Sequence, residues 1–113
     1  MDLTDISVIR SLLGDGQTSF KKKFGQNFLT NRQVVRRIAE SAADGSTGIL
    51  EIGPGIGTLT KELCEVAKRV VAVEIDDSLI PILSKTLDGY DNLTVISSDI
   101  LKVDLKKLTE EYF

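Results

Sequence analysis

The stretch Gly48-Ile-Leu-Glu-Ile-Gly-Pro-Gly-Ile-Gly-Thr-Leu-Thr60 decides the fold. Residues 48–52 form a short, nearly continuous apolar run bounded by glycine, the pattern of a strand buried in a parallel sheet. A turn with glycines at 53, 55 and 57 follows and hands over to a helix predicted from Thr58 to Ala67, with Leu59, Leu63 and Val66 facing inward.

The same alternation continues toward the C-terminus. Arg69 to Val73 is a second β-branched run, and Asp77 begins a helix with Leu79, Ile80, Leu83 and Leu87 apolar and Gly89 near its close. Pro81 falls in the first turn of that helix, where it is tolerated. Leu93 to Ile96 makes a third strand, and the tail from Asp104, with Leu105, Leu108 and Tyr112, reads as an amphipathic helix. On the N-terminal side, residues 2–13 carry apolar positions at helical spacing up to Gly14. Residues 14–30 read as a loop. Asn31 caps a helix that runs to about Ala43. Strands alternating with helices imply right-handed crossovers and a parallel sheet. The predicted fold is α/β: a partial Rossmann-like unit of three parallel strands with flanking helices and an N-terminal helical extension. Residues 1–30 form the helix and basic loop, and residues 31–113 the Rossmann-like part.

Composition narrows the functions open to such a unit. The chain has 113 residues, 42% hydrophobic and 27% charged, the balance of an ordinary globular domain. No apolar run approaches the length of a membrane span, and the acidic residues Asp2 and Asp5 argue against a secretory signal. There is no histidine, so histidine acid–base and ligand chemistry is excluded. The single cysteine, Cys64, reads as a small buried hydrophobe on a helix. A reduced, cytoplasmic setting is expected. The net charge is −3, yet Lys21, Lys22, Lys23, Arg32, Arg36 and Arg37 cluster in a segment without acids. Such a run is either a patch for a phosphate backbone or a solvated basic loop.

The glycine turn points to a ligand. Glycines permit positive φ and close backbone approach, and a helix N-terminus lies behind them. The spacing is Gly-x-Gly-x-Gly, not the Gly-x-Gly-x-x-Gly of dinucleotide sites. Pro54 removes one backbone donor, and Glu51 sets a carboxylate where it would repel phosphate and attract an ammonium group. S-adenosylmethionine has an ammonium, a carboxylate and a sulfonium, and no phosphate. Gly53 and Gly55 would approach it. Glu74 ends the second strand 17 residues after Gly57 and could accept hydrogen bonds from both ribose hydroxyls. Glu74, Asp76 or Asp77 could instead cap the next helix; Asp77 suits the cap best, which leaves Glu74 to the ligand. Asp99 follows the third strand and could accept from an adenine amino group, with Ile75 and Ile100 sandwiching the ring.

These segments resemble the KsgA-type ribosomal RNA adenine dimethyltransferases over about residues 20–101. The likeness rests on Lys23-Phe-Gly-Gln-Asn-Phe-Leu29, Glu51-Ile-Gly-Pro-Gly-Ile-Gly-Thr-Leu-Thr60, Val73-Glu-Ile-Asp76 and Ser98-Asp99. The first of these is the most specific, because other methyltransferases lack it. The resemblance implies an S-adenosylmethionine-dependent methyltransferase fold with strand order 3-2-1. It implies that Asn27 and the Leu29 backbone contact the cofactor with Gln26 beside them, Gly53 the methionine end, Glu74 the ribose and Asp99 the adenine. The implied activity is dimethylation of N6 on two adjacent adenines near the 3′ end of small-subunit rRNA. The implied partner is the rRNA in a pre-30S ribosomal particle, with Lys21, Lys22 and Lys23 on RNA phosphate. An adenine must leave its stack to be reached.

One family motif is missing. The acceptor motif Asn/Asp-Leu-Pro-Tyr/Phe has no counterpart, since the only prolines are Pro54 and Pro81. The resemblance sets this motif after a fourth strand, which would fall beyond Phe113, so no catalytic residue is expected within the chain. The chain therefore reads as an N-terminal, cofactor-binding fragment, inactive alone, whose full-length form is monomeric and whose bare first strand favours self-association. The alternatives are an erythromycin-resistance type acting on large-subunit rRNA, a non-catalytic RNA-binding relative, and an NAD-dependent dehydrogenase. The glycine spacing and Pro54 count against the last.

Overall fold

A computed structural model of the protein describes residues 2–13 and 31–113. The segment 14–30, which holds Lys21, Lys22, Lys23, Gln26, Asn27 and Leu29, lies outside the described residues.

Three strands form one parallel sheet in the order β1-β2-β3: β1 Gly48–Ile52, β2 Arg69–Glu74 and β3 Leu93–Ser97. Ile49 pairs with Val70 and Val70 with Leu93, and Glu51 pairs with Ala72 and Ala72 with Val95. Side chains alternate across a strand, so Ile49, Glu51, Val70, Ala72, Glu74, Leu93 and Val95 share one face. Leu50, Val71, Val73 and Ile96 share the other. Val70 to Val73 are buried, as expected for the middle strand of a parallel sheet covered on both faces.

Helices cover the two faces. The first helix, α1 (Ile6–Leu13), packs Ile9 beside Ile56 and Leu79, and on the first face of the sheet lie α2, Arg32–Ala42, and α3, Thr58–Val66. Ala39 of α2 and Leu63 and Cys64 of α3 close over Val70, with Ile49 and Leu93 beside them. Cys64 is thus a core residue, and burial, aided by the charges of Glu51 and Glu65, pushes its thiol up to about 12. On the second face, α5 (Leu105–Tyr112) sets Leu108 against Val71 and Val73. A 3-10 turn, Asp77–Leu79, leads into α4, Ile80–Thr86, and a second, Ile100–Lys102, leads toward α5.

Phe113 closes α5, its N–H donating to Thr109 O at 3.0 Å. Its half-exposed ring lies over Gly48, so close that a Cβ there would stand 2.5 Å from a ring carbon. A side chain at residue 48 would therefore displace the ring, which is why glycine suits the start of β1.

The cap of α2 is as expected, with the Asn31 side chain accepting from Val34 N at 3.1 Å. Two local expectations are corrected. The first helix starts at Ile6 rather than near Asp2, because Asp2 and Asp5 each accept the N–H two residues on, closing two successive turns. The cap after β2 is Asp76, whose side chain accepts from Ser78 N at 3.0 Å, and not Asp77. Asp77 instead accepts from Ser97 Oγ at 2.7 Å and ties the end of β3 to this turn.

Candidate functional site

All three strands point their C-terminal ends to one edge of the sheet, where open α/β folds bind ligands. The bend at 53–57 leaves β1 there. Gly53, Gly55 and Gly57 have φ of 73°, 62° and 94°, which L residues rarely adopt. Gly53 N donates to Val73 O at 2.9 Å, extending the β1–β2 pairing one step, and Gly57 N donates to Pro54 O at 2.9 Å. Gly53 faces open space where a Cβ would stand.

Glu74 is the anchor of this bend. It is buried, at 4% exposure, and its two carboxylate oxygens accept from Gly55 N and Asp76 N, each at 3.0 Å. The expectation that it stands unengaged does not hold. Each oxygen of a carboxylate carries two lone-pair positions, however, so one on each oxygen remains for a ligand hydroxyl.

Glu51 shares a sheet face with Glu74. Thr60 Oγ1, fully buried in the first turn of α3, donates to Glu51 Oε1. Burial pushes the Glu51 carboxyl up from 4.5 to about 7; the Thr60 hydrogen bond opposes the rise and the Glu74 charge adds to it. A cationic group beside Glu51 would reverse that rise by favouring the ionised form.

Asp99 lies two residues past β3. Its side chain accepts from Leu101 N at 2.9 Å and caps the 3-10 turn Ile100–Lys102, a role the sequence pattern does not suggest. Ile75 is 66% exposed at the end of β2, whereas Ile100 is half-buried against the Val71, Val73 and Leu108 cluster. The structure thus bonds Gly55 to Glu74, keeps Gly53 in the same bend and Glu51 on the same sheet face, and sets Ile75, Asp99 and Ile100 on the same sheet edge. Lys21, Lys22, Lys23, Gln26, Asn27 and Leu29 belong to the segment outside the described residues. Phe113 sits against Gly48 at the opposite end of β1 and takes no part in this edge. Sequence reasoning missed Thr60, which only the packing of α3 on β1 reveals.

The donor set suits a cationic, phosphate-free nucleoside. No lysine or arginine occurs in residues 51–57, 74–77 or 97–99, and five carboxylates do, at Glu51, Glu74, Asp76, Asp77 and Asp99.

Comparison with known proteins places this arrangement. The family model "Ribosomal RNA adenine dimethylase" matches residues 17–113. A ribosomal RNA small subunit methyltransferase A of Streptococcus gordonii is 49% identical over 113 residues, covering 99% of this chain and 39% of that protein. Its counterpart from Staphylococcus aureus (strain Newman) is 47% identical, over 98% and 38%. The chain therefore spans about two fifths of the length of these curated relatives. Among solved structures, the 23S rRNA methyltransferase ErmE is 39% identical with a TM-score of 0.60, over 66% of this chain and 31% of that one. A dimethyladenosine transferase from Plasmodium falciparum is 34% identical with a TM-score of 0.56, over 66% and 28%. The N-methyltransferase NodS from Bradyrhizobium japonicum, in complex with S-adenosyl-L-homocysteine, shares only the fold: 22% identity, TM-score 0.60, over 91% and 51%. The three parallel strands and their helices are thus part of the Rossmann-like methyltransferase fold. With a family match that runs from residue 17 to the last residue, the chain belongs to the ribosomal RNA adenine dimethylases.

Proposed function

We propose that this chain is the cofactor-binding part of an S-adenosylmethionine-dependent enzyme that dimethylates N6 of two adjacent adenines near the 3′ end of small-subunit rRNA. The observation that carries the reading is the 53–57 bend, held at three positive-φ glycines and tied to Glu74 through Gly55 N. S-adenosylmethionine, when bound, supplies an electrophilic methyl group on sulfonium. Glu51, once ionised, attracts the ammonium of the methionine end, and the open space at Gly53 admits that end close to backbone. The remaining lone pairs of Glu74 accept from the ribose hydroxyls, and Asp99 accepts from the adenine amino group beside Ile75 and Ile100. Gln26, Asn27 and Leu29 complete the cofactor contacts. Lys21, Lys22 and Lys23 meet RNA phosphate in a cytoplasmic pre-30S particle. The acids along the sheet edge disfavour a pyrophosphate, and with it NAD.

Calorimetric titration of the chain with S-adenosylhomocysteine and with NAD tests this. Binding of the first and not the second is expected, and binding of NAD alone, or of neither, overturns it. The likeness to ErmE favours one second reading, methylation of large-subunit rRNA; the protein's action on the two rRNAs separates them. A further proposal concerns assembly. Among the described residues β1 pairs only with β2, and Ile52 at its end is 60% exposed. An open, apolar edge of this kind favours pairing with a second copy. Sedimentation as a monomer at high concentration would refute it.

A further inference from the structure

Thr86 is the last residue of α4 and is buried at 8% exposure. A threonine in a helix commonly returns its hydroxyl to a carbonyl three or four residues earlier. Here that carbonyl, Leu83 O, is 3.5 Å from Oγ1, whereas Ile56 O is 2.8 Å away. A hydroxyl has one proton to donate, and the shorter contact receives it.

Ile56 lies within the bend, between Gly55 and Gly57. Its side chain is buried against Ile9 of α1 and Leu79. The peptide that joins Ile56 to Gly57 is a rigid plane, bonded on both sides: its carbonyl accepts from Thr86, and its N–H donates to Pro54 O at 2.9 Å. The next residue of α4's end, Leu87, lies against Gly57, where three of its carbons would come within 3.1 Å of a Cβ. The end of α4 therefore grips two consecutive residues of the bend from 30 positions away in sequence. Glycine torsions are soft, so a bend of three glycines takes its shape from such anchors.

We propose that Thr86 is a positioning residue for the cofactor site: its hydroxyl holds the Ile56–Gly57 peptide so that the bend keeps its binding shape before a ligand arrives. The role passes through Ile56, and it rests on the reading of the bend as an S-adenosylmethionine site.

The test compares the affinity of the wild-type chain, Thr86→Val and Thr86→Ser for S-adenosylhomocysteine, well below each melting temperature. Val70→Ala, near the start of β2 and away from the ligand edge, removes a fully buried side chain whose cluster holds no residue of the site, and serves as a variant that is destabilised without touching the bend. Loss of one buried hydrogen bond predicts about tenfold weaker binding for Thr86→Val. Thr86→Ser, which keeps the hydroxyl, is expected within about twofold of wild type, and Val70→Ala likewise, because neither breaks the bond. Wild-type affinity in Thr86→Val overturns the proposal, as does equal weakening in Thr86→Ser or Val70→Ala. A wild-type chain that binds no S-adenosylhomocysteine removes the cofactor reading and this role with it. If Thr86→Val does not fold, Thr86→Cys, with only a weak donor, carries the same test.

Discussion

The carboxylate of Glu74 accepts the backbone N–H of Gly55 at 3.0 Å, joining the end of β2 to the bend across 19 residues of sequence. With Asp76 N on its other oxygen, the side chain serves as a two-armed clamp inside the protein. Glu74→Ala is therefore expected to lose about 2–4 kcal/mol of folding stability, the scale of hydrogen bonds to a buried charged acceptor whose donors are left unpaired. Glu74→Gln retains one acceptor and should lose less. Denaturant melts of the two variants check the order, and a loss below about 0.5 kcal/mol for Ala would show that these contacts carry no weight.

Glu51 makes stability depend on pH. Its carboxyl is raised by burial from 4.5 to about 7 in the folded chain. The unfolded chain ionises first as pH rises, so the contribution is present in full below pH 4.5 and is lost as pH climbs through 7. Glu51→Gln, which never ionises and still accepts from Thr60, should match wild type near pH 4.5. At pH 8 it should be more stable by up to roughly 3 kcal/mol. Binding of S-adenosylhomocysteine should run the other way, strengthening from pH 6 to pH 8 in wild type and staying flat in the variant. Parallel melting and titration series read both slopes, and equal pH profiles for the two proteins would contradict the burial of this carboxyl.

Two glycines in the bend differ in what surrounds them. At Gly53, φ is 73° and nothing lies within 4 Å of an added Cβ, so Gly53→Ala meets only the left-handed backbone cost of about 1–2 kcal/mol. At Gly57, φ is 94° and Leu87 carbons stand 3.1 Å from the new atom, so Gly57→Ala adds a packing clash to that cost. Gly57→Ala should therefore melt lower than Gly53→Ala. The reverse order would mean that Leu87 moves aside without penalty.

The strands were legible because their signal is local. Residues 48–52 and 69–73 are apolar runs set between turn residues, and β1 has the bounds read from them, while β2 and β3 each extend one residue further. The parallel order followed from the alternation with helices. Caps were harder. Asp76 and Asp77 are adjacent acids, and a shift of one residue decides which faces the helix and which faces Ser97. Leu3 sits at helical spacing yet lies outside the helix; it is buried, and its carbonyl accepts from Thr58 Oγ1 at 3.2 Å. The acids at the strand ends could be found from position alone. The partners that hold the site, Thr60 on Glu51, Glu74 on Gly55 and Thr86 on Ile56, are tertiary contacts that no periodicity encodes.

The α2–α3 contact depends on a charge cluster that ordinary surface pairs do not resemble. Glu62 of α3 has a side chain only 7% exposed, and Arg36 of α2 reaches it with Nη1 at 2.9 Å. The same nitrogen meets Glu65 at 2.8 Å, and Arg32 Nε stands 3.6 Å from Glu62. Exposed ion pairs contribute little and are screened by salt. Removing the partner of a buried carboxylate is costly because the charge stays behind. Arg36 is itself 38% exposed, which moderates the loss, and Arg36→Ala is expected to lose about 1–3 kcal/mol. Glu62→Gln removes the stranded charge, so the double variant should recover part of that loss. A double-mutant cycle in 0.1 M and about 1 M salt measures the coupling. A value near 1 kcal/mol or above that survives high salt is expected, and one that vanishes with salt would make the cluster an ordinary surface pair.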